Sequence, residues 1–373
     1  MRRPRAHARR LLERAAALAA AAALEALPDP PVGCVVADAS GRVLGEGAHR
    51  GYGLPHAEPD ALRAAGAAAR GAAVFVSLEP CGRAGPGKRT APCARALRDA
   101  GVGAVVYGAS DPSPFAAGAG PALLREAGIA VEAIPSTACE AALDRWRRAS
   151  ADAHPWTIAK WAMSLDGRTG DARGGSRWIS GEESRARAHA IRARCDAVVV
   201  GSRTAVLDDP DLRARGVAGA LPLLRVVVDG ALRLDAVSRL ARTAREGPVL
   251  VATGDRAPPA RRAALEKRGV EIAAFASADG RVDLVGVCRA LRARGVLRLL
   301  LEGGGGLQAA AFRAGLVRQA AVFVAPLLLG GASAPSPLSG GEGLRAAADP
   351  LRLEDARVTP CGADLLVEGF VPR

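Results

Sequence analysis

Aromatic residues make up only 3% of this 373-residue chain, and lysine is nearly absent, with Lys88, Lys160 and Lys267 the only three. Each shortage excludes something. Binding of single-stranded nucleic acid draws on aromatic faces for base stacking, so a net charge of +13 does not by itself mark a nucleic-acid protein. The positive charge is almost all arginine, spread along the chain with no basic tail beyond the first ten residues. Such a surface equally rewards a phosphorylated small substrate or cofactor. No run of 18 or more apolar residues occurs, and no membrane span is expected. Seven cysteines, an odd number dispersed over a long chain, argue against a disulfide framework and for a reducing, cytoplasmic setting. The N-terminal "MRRPRAHARRLLERAAALAAAAALEAL" has the look of a leader. Its Glu13 and Glu25 and its scarcity of strongly apolar residues predict a first helix of the fold instead.

What is present is ordinary for a globular protein: 49% hydrophobic and 24% charged residues, over a length that predicts two domains. Residues 1–27 read as a helix ended by "PDPPVG". "CVVADASGRVLGEGAH" alternates as a hairpin turning at "ASGR". Helix, strand, helix, strand, helix and strand follow through "HAEPDALRAAGAAARG", "AAVFVSLEP", "APCARALRDAG", "VGAVVYGASDP", "GPALLREAG" and "IAVEAI". This alternation predicts a mixed or parallel sheet with helices packed on it. A helix over "STACEAALDRWRRASADAHP" leads to a boundary near His154, and all four tryptophans lie between Trp146 and Trp178. The expected domains are therefore 1–150 and 151–373. The second is again α/β, with strands in "WTIAKWAMSLDG", "DAVVVG", "LLRVVVDG", "GPVLVATG", "VEIAAFA", "LRLLLEG" and "AAVFVAPLLLG".

The chemistry concentrates in "PHAEPDAL" and "LEPCGRAGPGKRTAPCARAL". Cys81 and Cys93 could be a disulfide, two small core residues, or ligands of one metal. His56 and Glu58 at the start of a predicted helix, then Pro80-Cys81 after a strand and Cys93 opening the next helix, favour the metal. One imidazole and two thiolates supply three zinc ligands and leave a fourth position for water, whereas a structural site fills all four. Glu58, two residues from His56, is placed to shuttle protons. This is the pattern of zinc nucleobase deaminases.

Together with "PDPPVGCVV", "GEGAH" and "SDPSP", these stretches resemble the deaminase half of the bifunctional riboflavin-biosynthesis deaminase–reductase family. "KWAMSLDGRTGDARGGSRWIS", "DAVVVGSRTAVLDDPDLRAR", "RVVVDG", "LLLEGGGGLQAAAF" and "VAPLLLGG" resemble its reductase half. The resemblance implies a cytidine-deaminase-like α/β/α domain followed by a dihydrofolate-reductase-like α/β domain. It implies zinc-dependent deamination of 2,5-diamino-6-ribosylamino-4(3H)-pyrimidinone 5′-phosphate, then reduction of its ribosyl group to ribityl with NADPH. It further implies a cytoplasmic homo-oligomer, dimer or tetramer, acting on a small molecule and on neither nucleic acid nor membrane. An RNA or nucleoside deaminase with an accessory binding domain is the competing reading, and a zinc-stabilised structural protein a third.

Residue by residue, the resemblance gives zinc to His56, Cys81 and Cys93, proton transfer to Glu58, and places near the pyrimidine pocket to His49 and Asp111. In the second half it implies cofactor contacts at Ala162, Trp178, Thr204, Asp208, Gly303, Gly304, Gly305 and Gly306. Substrate contacts fall to Ser176, Arg192, Leu212, Arg215 and Glu302. Thr204 and Asp208 lie in an expected loop after a buried strand, where open α/β sheets bind ligands. The glycine run between a strand and a helix suits a phosphate, although it is not the G-x-G-x-x-G fingerprint. Lys160 stands out as a rare lysine, and Asp208 is the hypothesised proton donor for reduction at C1′ of an opened ribosylamine.

The chain also departs from the family's pattern. Asp29-Pro30-Pro31-Val32-Gly33 replaces the usual Asn-Pro-x-Val-Gly, and Pro31 a second asparagine. Pro59 follows Glu58 where a β-branched residue is usual. Gly82 and Arg83 replace a Ser-His pair, and the loop to Cys93 is a few residues longer.

Overall fold

A computed structural model describes residues 2–83, 91–113, 117–172, 179–220, 223–278, 281–339, 344 and 348–372. The chain divides into two compact units, 1–151 and 152–373.

The first unit runs α1 (Arg2–Ala21), α2 (Ala23–Ala26), β1 (Gly33–Ala37), β2 (Val43–Ala48), α3 (Ala57–Ala65), β3 (Ala73–Val76), α4 (Cys93–Asp99), β4 (Ala104–Tyr107), α5 (Ala119–Glu126), β5 (Ala130–Ala133) and α6 (Thr137–Ser150). Its five-stranded sheet has the order β2-β1-β3-β4-β5. β1 is antiparallel to β2 and β3, and β3, β4 and β5 are parallel. All five residues of β1 are buried, as a strand covered on both faces requires. Leu12 and Ala15 of α1 belong to this core.

Glycines decide how closely the helices sit. A Cβ on Gly33 would lie 2.0 Å from the Ala15 carbonyl oxygen, so α1 rests directly on β1. Gly47 pairs with Cys34, one residue on, and successive residues face opposite sides of a sheet. A Cβ on Gly47 would lie 2.3 Å from the Ala57 oxygen and the Ala61 nitrogen, and one on Gly45 2.6 Å from the Ala61 oxygen. The backbone of α3, which carries the H-x-E motif, is thus laid against β2 with no side chain between.

The second unit contains β6 (Trp156–Ser164), α7 (Glu182–Arg192), β7 (Ala197–Gly201), α8 (Ser202–Leu207), β8 (Leu224–Val228), α9 (Arg239–Arg242), β9 (Val249–Thr253), α10 (Pro259–Lys267), β10 (Glu271–Ala274), a two-residue ribbon of β11 (Ser277–Ala278) and β12 (Arg281–Val282), α11 (Leu284–Ala293), β13 (Arg298–Glu302), α12 (Gly305–Arg313), β14 (Val317–Ala325), β15 (Glu354–Cys361) and β16 (Asp364–Phe370). The order of its nine-stranded sheet is β10-β9-β8-β7-β13-β6-β14-β16-β15. The first seven run parallel, and β14, β16 and β15 are antiparallel neighbours. The carboxyl ends of β6, β7 and β13 therefore share one edge, the side on which open parallel sheets bind ligands.

Two features differ from the sequence-based expectation. "GSRTAVLDDP" contains the six-residue helix α8 rather than a loop alone. The closing hairpin of β15 and β16 has a proline, Pro360, inside a strand; this is tolerated because β15 is the sheet edge.

Candidate active sites

In the first unit, His56 caps the N-terminus of α3, and Cys93 is the first residue of α4. Cys81 lies in the segment after β3, and its Sγ accepts from the Cys93 N–H at 3.2 Å. The His56 Nδ1 is 3.2 Å from the Cys93 Sγ and 3.8 Å from the Cys81 Sγ. These three side chains offer ligand atoms within 4.8 Å of one another, and theirs is the one such cluster found among the described residues. Both cysteines are free thiols, so no disulfide joins them.

Glu58 is 3% exposed and its Oε2 has no hydrogen-bond partner. Burial first, then the neighbouring Cys81, pushes the pKa of this carboxyl up. A buried carboxylate oxygen that no protein group meets costs free energy unless a ligand satisfies it. Its presence beside three soft-and-nitrogen donors fits a zinc site that keeps one position for water.

The surrounding wall involves residues that departed from the family's pattern. The Asp29 carboxyl lies 3.2 Å from His49 Nε2, while His49 Nδ1 is 3.0 Å from the Pro55 carbonyl oxygen. The His49 ring lies edge-on to His56, 5.2 Å between centroids. Gly82 is fixed by packing: a Cβ there would meet the Ala119 carbonyl carbon at 2.3 Å. The serine usual at this position has no room. Asp111 accepts from the Ser113 N–H at 2.9 Å, and its own N–H donates to Glu79 at 3.4 Å. Glu79, which sequence reasoning passed over, also accepts from the Gly118 N–H at 2.5 Å and so ties Asp111 and Gly118 to the segment that leads to Cys81. Its signal was visible in "LEPC", since a glutamate one residue before Pro-Cys at a buried strand end needs partners.

In the second unit, Ser176 and Trp178 lie outside the described residues. Ala162 is half-buried on β6. Thr204 lies within α8, and its Oγ1 accepts from the Gly304 N–H at 3.1 Å, joining the glycine run to the end of β7. Asp208 is exposed at the C-cap of α8.

The four glycines are unlike one another. Gly303 has φ +145°, a backbone open to glycine. Gly305 is forced by packing, because a Cβ would sit 2.2 Å from the Ser336 oxygen. Gly304 and Gly306 meet nothing closer than 3.8 Å, leaving open space at the N-terminus of the nine-residue α12. Small residues at the carboxyl ends of β7 and β13 beside a helix N-terminus fit a phosphate-bearing dinucleotide.

Arg192 and Glu302 are brought together, but with each other. The Arg192 guanidinium binds the Glu302 carboxylate in two hydrogen bonds, of 3.3 and 2.5 Å, both side chains 11% exposed. Burial pushes the Glu302 pKa up, and the Arg192 and Lys160 charges overcome it, leaving it lowered. Arg215 is exposed, and its N–H donates to His189 Nδ1 at 3.3 Å. Burial, then Arg192 and Arg215, lowers the His189 pKa, consistent with a neutral ring that accepts. Lys160, His189, Arg192, Arg215 and Glu302 thus form one electrostatic group with an excess of positive charge. His189 was missed in the sequence, where its scarcity was its only signal. Leu212 is buried, at 4% exposed, which leaves its backbone as the part able to meet a ligand.

Residues 6–109 match the cytidine and deoxycytidylate deaminase zinc-binding region, and residues 155–367 the RibD C-terminal domain. The riboflavin biosynthesis protein RibD of Chlamydia muridarum is 39% identical over 330 residues, covering 87% of this chain and 86% of that protein. That of Synechocystis is 34% identical over 363 residues, covering 96% and 95%. The solved structure of Acinetobacter baumannii RibD is 30% identical with a TM-score of 0.66, covering 98% of this chain and 99% of that one. A Thermotoga maritima diaminohydroxyphosphoribosylaminopyrimidine deaminase/5-amino-6-(5-phosphoribosylamino)uracil reductase is 28% identical with a TM-score of 0.65 over the same shares. The likeness runs through both halves of the chain, and the region an RNA-binding accessory domain would need is occupied by the RibD C-terminal domain. The chain therefore belongs to the RibD family of bifunctional riboflavin-biosynthesis enzymes, a zinc deaminase joined to an NADPH-dependent reductase.

Proposed function

We propose that this chain acts twice on one phosphorylated pyrimidine. Its deaminase domain, 1–150, hydrolyses the amine of 2,5-diamino-6-ribosylamino-4(3H)-pyrimidinone 5′-phosphate. Its reductase domain, 151–373, then reduces the ribosyl group of the product to ribityl. The observation that carries the reading is the three-ligand cluster of His56, Cys81 and Cys93 beside the buried Glu58, whose Oε2 has no hydrogen-bond partner. The two activities in the Thermotoga maritima relative's description support the substrate.

His56, Cys81 and Cys93 would hold the zinc, whose chemistry when bound is to make water a nucleophile near neutral pH. Glu58 would take one proton from the attacking water and pass it to the ring nitrogen, then take the second from the added hydroxyl and pass it to the amine, which departs as ammonia as the carbonyl forms. Its raised pKa suits both roles. His49 and Asp111 line the pyrimidine pocket.

In the second domain NADPH supplies the reducing equivalents. Ala162, Trp178, Thr204, Asp208 and the run Gly303 to Gly306 would hold it, and α12 offers free N–H groups to its phosphates. Ser176, Arg192, Leu212, Arg215 and Glu302 would hold the substrate. Arg215 is free to meet its phosphate as a bidentate partner, whereas Arg192 is committed to Glu302 and orients it. The protein's main task is to set the reacting carbon against the cofactor. Asp208, exposed at the C-cap of α8, is the candidate proton donor, and an Asp208→Asn enzyme with normal turnover would remove it from that role.

The active form is a homo-oligomer in the reducing cytoplasm. Val358 and Leu365 on the edge hairpin, 61% and 44% exposed, favour burial against a second copy; light scattering tests this.

Incubating the purified protein with the diaminopyrimidine ribosylamine phosphate, with and without NADPH, tests the whole reading. Ammonia release in both arms and NADPH oxidation in one are expected. Reduction of the deaminated substrate without any ammonia release would mean the first domain is inactive. Tight, salt-sensitive RNA binding without NADPH dependence would replace the reading with that of an RNA deaminase.

A further inference from the structure

We infer that Arg225, which touches none of the expected ligand contacts, is the positioning residue that fixes the 209–215 loop of the reductase. The inference rests on the proposed reading of Leu212 and Arg215 as substrate contacts.

Arg225 lies near the start of β8 and is 1% exposed. A buried guanidinium is costly unless its donors are paired. Its Nη1 donates to the Asp211 carbonyl at 3.3 Å and to the Thr243 Oγ1 at 2.7 Å. Its Nη2 donates to the carbonyls of Thr243 and Gly247 at 2.9 and 2.5 Å. The Asp211 carboxylate is a further 3.7 Å partner. The planar fork of arginine reaches two separate backbone segments at once, which the point charge of lysine cannot do.

The loop needs such a hold. Asp209 and Leu212 have φ of 38° and 58°, in the left-handed region that side chains other than glycine enter at a cost. The loop is pinned at both ends: the Arg239 N–H donates to Asp209 at 2.7 Å, and the Arg215 N–H to His189. Arg192 takes the Arg213 carbonyl at 3.0 Å while it binds Glu302. Arg225 supplies the grip at Asp211, in the middle, where the strained residues flank it. Without it the loop can relax toward ordinary backbone angles and carry Arg215 away from its bound position. The loss then falls on substrate binding more than on the chemical step.

Full-length R225M, D211N, R225K and R215A are compared for reductase kcat and KM with the deaminated phosphorylated substrate. Ammonia release by the first domain is measured in the same preparations, and NADPH affinity by fluorescence. R225M should raise KM about tenfold or more, with kcat within about threefold. D211N should move KM the same way by less, R225K should not restore it, and ammonia release and NADPH affinity should hold. R225M and D211N with wild-type KM, beside an R215A whose KM rises, would overturn the positioning role. So would a fall in kcat at unchanged KM. If R215A leaves KM unchanged, it is the reading of Arg215 that falls, and R225M still decides the loop. Should R225M fail to fold its reductase domain, R225K, which keeps the charge but not the fork, decides in its place, and a wild-type KM there sinks the inference.

Discussion

Gly47→Ala separates the placement of α3 from the chemistry it carries. The new Cβ would lie 2.3 Å from the backbone oxygen of Ala57 and nitrogen of Ala61, where ordinary contact begins at 3.4 Å. Neither atom belongs to a flexible side chain, so strand and helix must part by about 1 Å. Overpacking of this kind costs about 1–3 kcal/mol, which lowers the melting temperature of a unit this size by roughly 2–12 °C. His56 and Glu58 move with α3, while Cys81 and Cys93 sit on other segments. A metal site tolerates only about 0.2 Å in its ligand distances, and a misplacement of about 1 Å can cost about a hundredfold in rate. The assay measures zinc per chain by mass spectrometry, ammonia release, melting by calorimetry, and NADPH oxidation as the control from the other domain. Substoichiometric zinc and ammonia release reduced about a hundredfold, at unchanged NADPH oxidation with the already deaminated substrate, are expected. A variant that binds one zinc, deaminates normally and melts at the wild-type temperature would refute the idea that bare glycine contact sets the ligand positions.

Three further outcomes are expected. Glu58→Gln should keep zinc and lose about 10²–10⁴-fold in ammonia release; loss of zinc instead would make Glu58 a ligand. Cys81→Ser, or a strong chelator, should abolish ammonia release and lower the first domain's melting while NADPH oxidation with the already deaminated substrate persists, and parallel loss of both activities under that supply would contradict independent sites. Arg192→Met should cost the reductase domain about 3–5 kcal/mol by leaving Glu302 buried and unpaired, with part recovered in the double variant with Glu302→Gln. Because the folded pKa of Glu302 is lowered, its stabilisation is present above the ordinary carboxylate value of 4.5 and is lost as pH falls through the lower folded value. Glu302→Gln should flatten that acid limb of the melting curve.

The order of H-x-E, P-C and C by itself points to the His56, Cys81 and Cys93 cluster, because these residues sit at element boundaries that local sequence sets: a helix N-cap, a strand end and a helix start. The alternation of strands and helices determined the α/β class for the same local reason, since a period of 2 or 3.6 is written into each short segment. Helix α8 escaped because six residues hold less than two turns of that period. The β15–β16 hairpin escaped because Pro360 argues against a strand unless its edge position is known.

Tertiary structure alone decided the rest. Arg192 and Glu302 are 110 positions apart, and nothing local to either says that the two will bind each other rather than a ligand. Arg225 reads as one more interior-strand residue in "LLRVVVDG" until its acceptors at Asp211, Thr243 and Gly247 converge on it. Gly47 lies in an alternating hairpin segment of the sequence and Gly82 in a loop, and only the approach of a neighbouring backbone shows why no side chain fits. In each case the deciding contact joins segments far apart along the chain, and sequence spacing carries no record of which distant partner closes on a residue when the core packs.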